Sequence, residues 1–240
     1  MLTRPLPIAN RLLTALPRAE YDHLLPKLEL VSLTFGEILY EPGDQIKYVF
    51  FPNDSHVSLL TLVETDFALE VGLVGREGMV GIELALGIGV SSIRALVQGT
   101  GTAMRMKATV FRREFNQSPA LQRAAHLYTN ALMNQIAQTA ACNRFHVFEA
   151  RLARWLLMTR DRVGSNHSRL THEFLGHMLG VRRVGVTKAA KILKQRNLID
   201  YSRGYISIID QRGLEAAACS CYEKLKDRHG KTLKDRHGKS

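Results

Sequence analysis

The chain of 240 residues is 45% hydrophobic with a formal net charge of +11, long enough for two modest domains. No uninterrupted apolar stretch approaches the about 20 residues that span a bilayer, and three cysteines are too few for a disulfide scaffold. The charge is uneven: residues 1–149 carry 13 Lys and Arg against 14 Asp and Glu, whereas residues 150–240 carry 20 against 8. A basic segment joined to a near-neutral one points to a polyanion reader attached to something else, because phosphate neutralisation releases counterions.

The opening segment, MLTRPLPIANRLLTALPRAE, is broken by Pro5, Pro7 and Arg11 before a signal-type apolar core forms, so a cytoplasmic protein is expected. Arg11 to Leu28 reads as a short helix interrupted by Pro17 and Pro26, with Leu12, Leu13, Leu16, Leu24 and Leu25 as its buried side. From Leu28 to Met106 short β-prone runs (YVFF, HVSLLTL, ALEVGLV, IRALVQ) alternate with turn signals at Gly36, EPGD, FPND, Thr65-Asp66, GREG, GIG and GTG. Spacing of roughly ten residues fits one compact β-barrel or roll.

Ser118-Pro119 is a strong helix start. From there to about Phe145 an apolar seam of Leu121, Ala124, Ala125, Tyr128, Ala131, Leu132, Gln135, Ile136, Thr139 and Cys142 recurs at three-and-four spacing. A helix of this length spans roughly 40 Å and exceeds what one small roll can bury, so a partner helix is expected. FEARLARWLLMTRDR then leads onward, with Leu152, Trp155 and Leu156 as core.

Leu170 to Arg196 reads as a helix-turn-helix. Gly176 supplies the small residue where two helices touch and Gly180 the reversal between them. Leu175, Leu179, Val181, Val186 and Ala189 turn inward, and Thr171 caps the first helix ahead of Glu173. The second helix gathers Arg183, Thr187, Lys188, Lys191 and Lys194 on one outward basic stripe. LIDYSRGYISIID follows, with a turn at Ser202, Arg203 and Gly204 and alternating Ile206 and Ile208, as a wing would have. An ordinary amphipathic pair accounts for the stripe but not for the glycines and the hairpin together.

The stretch GREGMVGIELALGIGVSSIRALVQG, the EPGD turn, the long helix, the wing and above all MLGVRRVGVTKAA resemble the Crp/Fnr family of bacterial transcription regulators over nearly the whole chain. The resemblance implies an α+β chain with a jelly-roll-like β-roll sensor at 1–117, a dimerisation helix at 118–147, a winged helix-turn-helix at 148–223 and a disordered basic tail at 224–240, repeated as LKDRHGKT and LKDRHGKS. It implies a homodimer on an inverted-repeat operator, contacting double-stranded DNA and, in an activator, RNA polymerase, with no membrane. DNA contacts would fall on Thr171, His172, Arg182, Arg183, Val184, Thr187, Lys188, Lys191, Ser202 and Arg203. Of these Arg183 and Lys188 would read bases, while Thr171, His172, Arg182 and Arg203 would hold phosphates.

In the family a cassette glutamate holds a ribose hydroxyl and an arginine pairs with a cyclic nucleotide's phosphate, which here implies an effector site at Gly81, Glu83, Leu84 and Arg94. The extra Ile82 separates Gly81 from Glu83, and the family arginine falls on Ile93 or Arg94 by a one-residue register choice, which on a strand exchanges faces. Arg94 then either neutralises a phosphate or forms a surface ion pair with Glu83. No fixed cofactor is expected. Cyclic AMP and cyclic GMP should bind weakly or not at all, leaving the roll to another small-molecule effector or to a scaffold role. A regulatory module acting on a partner protein is the alternative, with the basic stripe against it.

The iron-sulfur route of the family's oxygen sensors is closed, since no cysteine precedes Cys142. Cys219-x-Cys221 lacks a second pair in the local sequence, so all three cysteines read as ordinary thiols and no metal is expected. His172 and His177 are five apart and point to different helix faces, which excludes a metalloprotease pair. GIGVSS lacks the third glycine of a dinucleotide fingerprint, and no catalytic set is present.

Overall fold

The computed structural model describes residues 8–64 and 67–226. The Thr65-Asp66 turn, Pro5 and Pro7, and residues 227–240 of the tail with His229 and His237 lie outside the described residues; residues 224–226, expected to be disordered, are helical, with Leu225 buried. The described residues fall into two compact units, one of residues 8–57 with 74–130 and one of residues 58–64, 67–73 and 131–226. Among the described residues no helix is long and apolar enough to cross a membrane.

The first unit begins with α1 (Arg11–Thr14) and α2 (Arg18–Leu24). Asn10 is fully buried and fully used: its Oδ1 accepts the N–H groups of Leu12 and Leu13, and its Nδ2 donates to the carbonyls of Pro52 and Gly78. Pro17 separates the two helices, and a 3-10 turn at Leu25–Lys27 contains Pro26. Leu12, Leu13, Leu16 and Leu24 are buried as expected, but Leu25 is 37% exposed. The tighter 3-10 winding moves it off the buried face.

Seven strands follow: β1 (Glu29–Leu33), β2 (Ile38–Tyr40), β3 (Tyr48–Pro52), β4 (His56–Glu64), β5 (Phe67–Val74), β6 (Arg94–Gly99) and β7 (Gly101–Lys107). In the first unit β1, β7 and β3 form an antiparallel sheet, with Leu33 opposite Gly101 and Tyr48 opposite Lys107. β2 pairs with β6 around a bulge between Ile38 and Tyr40. Helix α3 (Ala108–Gln117) follows β7 and has no counterpart in the sequence reading.

Ser118 caps α4 (Pro119–Phe145) by accepting the Leu121 N–H at 3.0 Å. The apolar seam does not wait for a partner. Leu121, Ala124, Ala125 and Tyr128 are buried in the first unit, and Leu132, Gln135, Thr139 and Cys142 in the second. Periodicity marks which face is apolar without saying what covers it, and here the chain covers most of it itself. The outward side of α4 instead exposes Met133 at 64%, together with His126, Asn130, Ala137, Ala141 and Arg144.

The second unit holds the neighbouring strands β4 and β5, the rest of α4, and α5 (Phe148–Val163), where Leu152, Trp155 and Leu156 are core as expected. It continues through β8 (His167–Arg169), α6 (His172–Leu179), α7 (Arg183–Gln195), β9 (Ile199–Ser202), β10 (Tyr205–Ile208) and α8 (Gln211–Ala217), the last capped by Asp210. Strands β8, β10 and β9 make a three-stranded antiparallel wing. The sequence reading found only two of these strands, because β8 is three residues long and lacks an apolar alternation.

Glu114 is the most heavily paired carboxylate in the first unit, with Lys27, His23 and Arg113 nitrogens at 2.7, 2.9 and 2.9 Å. Burial opposes its ionisation, but these donors outweigh burial and hold its pKa at about 2 against an ordinary 4.5. A carboxylate depressed in the folded state contributes stability above its unfolded pKa and loses it as pH falls through the folded one. Glu114→Gln should therefore lower stability at pH 7 by roughly 1–3 kcal/mol. Thermal unfolding of both proteins from pH 7 down to pH 2 checks this, with the gap narrowing below about pH 4.5.

Candidate nucleic-acid interface

The helix-turn-helix is assembled by packing that fixes the angle between α6 and α7. Thr171 Oγ1 accepts the Phe174 N–H at 3.1 Å and so starts α6. Gly180 ends α6 at φ +65°, a left-handed conformation that glycine adopts without a Cβ clash. A Cβ on Gly176 would lie 2.8 Å from the Val181 carbonyl oxygen, so only glycine lets the turn approach α6 this closely. Leu175, Leu179, Val186 and Ala189 are buried and Val181 is half-buried, matching the inward set expected from sequence.

α5 braces this pair. The Arg151 guanidinium donates to the Leu179 carbonyl at 2.8 Å, placing a cation on the C-terminal end of α6, where the helix dipole favours it. Burial lowers the Arg151 pKa, yet the group keeps this acceptor. Arg196 at the end of α7 donates to Glu149 of α5 at 3.0 Å. Neither contact is readable from sequence, since each joins residues distant along the chain.

Arg182, Arg183, Val184, Thr187, Lys188 and Lys191 are all exposed along the first turns and outer face of α7, with Val184 at 59%. Lys194 leaves the stripe: its Nζ lies 2.5 Å from Asp200 Oδ1 and over the Tyr201 ring. The basic stripe is therefore shorter than its spacing suggested. The Thr187 hydroxyl donates to the Arg183 carbonyl at 3.1 Å, which commits its proton; His172 Nδ1, 3.1 Å from the same oxygen, must then be the N–H that donates to it. Burial and then the Arg183 charge lower the His172 pKa, favouring the neutral imidazole, whose one proton this bond places on Nδ1.

The wing turn is built on Arg203 and Gly204, at φ +49° and +82°. Ser202 pairs with Tyr205 across them, and two successive positive φ values are what a two-residue type I′ hairpin needs. Ser202 and Arg203 are exposed at its tip. A groove of about 350 Å³ runs between this tip and the starts of α6 and α7, lined by Thr171, His172, Arg183, Ser202, Arg203 and Tyr205 among others. Eight of the ten expected DNA contacts thus stand at the start or on the outer face of α7 or in this groove with a cationic side chain or hydroxyl, and Val184 offers an apolar surface suited to a thymine methyl.

The expected effector residues do not converge. Gly81 is left-handed ahead of a 3-10 turn at Ile82–Leu86, with Leu84 buried. Glu83 is half-buried, which raises its pKa, and has the Ser91 hydroxyl 3.5 Å away. Arg94 instead donates to Glu41 of the EPGD turn at 2.8 Å. Among the described residues Glu83 and Arg94 share no ion pair. On β6, Ala95 and Val97 are fully buried, and Arg94 lies on the alternate, half-buried face with Leu96.

Residues 150–217 match the model of the Crp-like helix-turn-helix domain. No curated protein matches the chain. Among solved structures the chain is similar to FixK2 from Bradyrhizobium japonicum, at 14% identity and a TM-score of 0.68 over 80% of this chain and 98% of that one. It is also similar to a Crp/Fnr-family transcriptional regulator from Thermus thermophilus, at 21% identity and 0.65 over 79% and 98%. The c-di-GMP responsive global regulator CLP of Xanthomonas campestris gives 14% and 0.66 over 81% and 100%.

Arg183 is the exposed arginine at the first position of α7, and bidentate arginine to guanine is the commonest specific contact. Arg183→Ala should cost about 1–3 kcal/mol and relax preference at one base position. Arg203→Ala should weaken all sequences alike and reduce the salt slope by about one. Competition binding on a mutated site library separates the two outcomes; unchanged preference in Arg183→Ala would refute its reading role.

Proposed function

Starting from a chain with the Crp/Fnr-type transcription-regulator fold and a Crp-like helix-turn-helix domain at residues 150–217, we propose that the protein is a sequence-specific DNA-binding regulator acting as a cytoplasmic homodimer on an inverted repeat. The observation that carries this reading is the exposed set from Arg182 to Lys191, set beside the Ser202-Arg203 tip across one groove. In this reading residues 1–117 serve as sensor, 118–147 as dimer helix and 148–223 as DNA-binding domain. Arg183 and Lys188 face bases; Thr171, His172, Arg182 and Arg203 face phosphates. An activator would also contact RNA polymerase. The protein acts by binding rather than by catalysis.

The dimer contact falls on the outward stripe of α4 through His126, Asn130, Met133, Ala137, Ala141 and Arg144, since the opposite face is already buried. Two-fold symmetry makes such a contact self-complementary and sets two recognition helices on one side of the duplex. Sedimentation should give a dimer at micromolar concentration, lost in Met133→Arg. Selection from random duplexes should return half-sites centred about 10 bp apart or a multiple of that. A monomer that binds the selected site with full affinity would refute this arrangement.

The sensor is proposed to answer to a small molecule other than cyclic AMP or cyclic GMP, or to serve mainly as a scaffold. A buried phosphate without a partner costs several kcal/mol, and Arg94 is engaged by Glu41. Calorimetric titration with both nucleotides should show no micromolar binding. Binding that disappears in Arg94→Ala and Glu83→Ala would reverse this part of the reading.

A further inference from the structure

The three cysteines of this chain converge on one point with a histidine. Cys142 lies in the last turn of α4 and His146 just past its end, where the His146 N–H donates to the Cys142 carbonyl at 3.1 Å, so the i, i+4 spacing keeps both side chains on one side. Cys219 and Cys221 lie just beyond α8. Folding brings the four potential ligand atoms within 4.8 Å of one another. Cys142 Sγ is 3.4 Å from Cys219 Sγ, and Cys221 Sγ is 3.5 Å from His146 Nδ1. Metal–sulfur bonds of about 2.3 Å in a tetrahedron place sulfur atoms roughly 3.7 Å apart, so the donors already stand near the corners of a single-ion shell. The sulfur separation is far beyond the about 2.05 Å of a disulfide, and all three thiols are free and buried.

We infer that Cys142, His146, Cys219 and Cys221 form a structural zinc site that clasps the two ends of the helix-turn-helix domain. Three thiolates and an imidazole select a soft or borderline ion over magnesium or calcium. Four protein ligands close the shell, as structural zinc sites do, and leave no open position for chemistry. Binding releases the thiol protons to solvent as the ligands deprotonate.

The surroundings fit such a centre. Zinc with three thiolates and a neutral histidine carries one net negative charge, and the Arg154 guanidinium, only 3% exposed and with no partner on Nε, acts electrostatically on both Cys142 and Cys219. Gln138 Nε2 donates to Cys221 Sγ at 3.0 Å, and the Cys221 N–H donates to Cys219, the type of outer contact that orients ligands and tunes a metal.

The ligand positions explain what the ion is for. Cys142 and His146 precede the domain matched at 150–217, and Cys219 and Cys221 follow it. One ion therefore closes a loop around the whole DNA-binding domain. Such a cross-link removes entropy from the unfolded chain and ties the segment after α8 to α4.

The test is metal analysis of the untagged, reduced full chain purified from zinc-supplemented medium. About one equivalent of zinc per chain is expected, falling at least tenfold in Cys142→Ser and Cys221→Ser. Cobalt substitution of the wild-type chain should give thiolate charge-transfer and tetrahedral visible bands, a readout that survives even if the variants do not fold. A folded, reduced wild-type chain without those bands would overturn the inference. So would zinc retained by folded Cys variants, which places the ion elsewhere, or a Cys142–Cys219 disulfide in a metal-free chain.

Discussion

One buried carboxyl ties together the strands and helices at the base of the second unit. Glu70 of β5 is 8% exposed, and it accepts the Trp155 indole N–H at 2.9 Å and the Ser58 hydroxyl at 2.6 Å. Burial raises its pKa against those donors and against the positive charges of Arg154 and Arg162. A polar group this deep is tolerable only when its hydrogen bonds are supplied. Supplying them draws β4, β5 and α5 together. Arg162 extends the network by donating to Gln135 of α4, whose own amide donates to the Leu73 carbonyl. Gln135 therefore works inside the chain.

On that base the helix-turn-helix is held by a few contacts of different kinds. Gly176 allows the close approach of the turn, Gly180 reverses the chain, and Arg151 satisfies the end of α6 from below. Arg196 and Lys194 tie the far end of α7 to Glu149 and Asp200. The cations left outward are those of the first turns of α7 and the wing tip. Division of labour among like charges on one helix thus comes from their neighbours and not from their spacing.

The first unit shows the same rule in its anion chemistry. Arg94 is the first basic residue after the cassette, yet the EPGD turn presents Glu41 to it first. A guanidinium with a fixed carboxylate partner would have to surrender that pair before meeting a phosphate. Glu83, half-buried and raised in pKa by that burial, stands apart.

Much of this architecture was legible from residue order. The β-rich texture between Leu28 and Met106, the cap at Ser118, the core positions Leu152, Trp155 and Leu156, and the pairing of Gly176 with Gly180 all follow from local rules of turn chemistry and periodicity. Those rules act over a few residues, so order alone carries them. Three things escaped them: β8, whose strand exists only because β10 lies beside it; the covering of the α4 seam by its own chain; and the diversion of Lys194 and Arg94 into ion pairs. The meeting of Cys142 and His146 with Cys219 and Cys221 escaped for the same reason, since a pair that looked incomplete in its local sequence finds its complement 77 residues away. Which face is apolar and which residue is charged are properties of the chain; what each one touches is settled only when distant segments compete for the same surface.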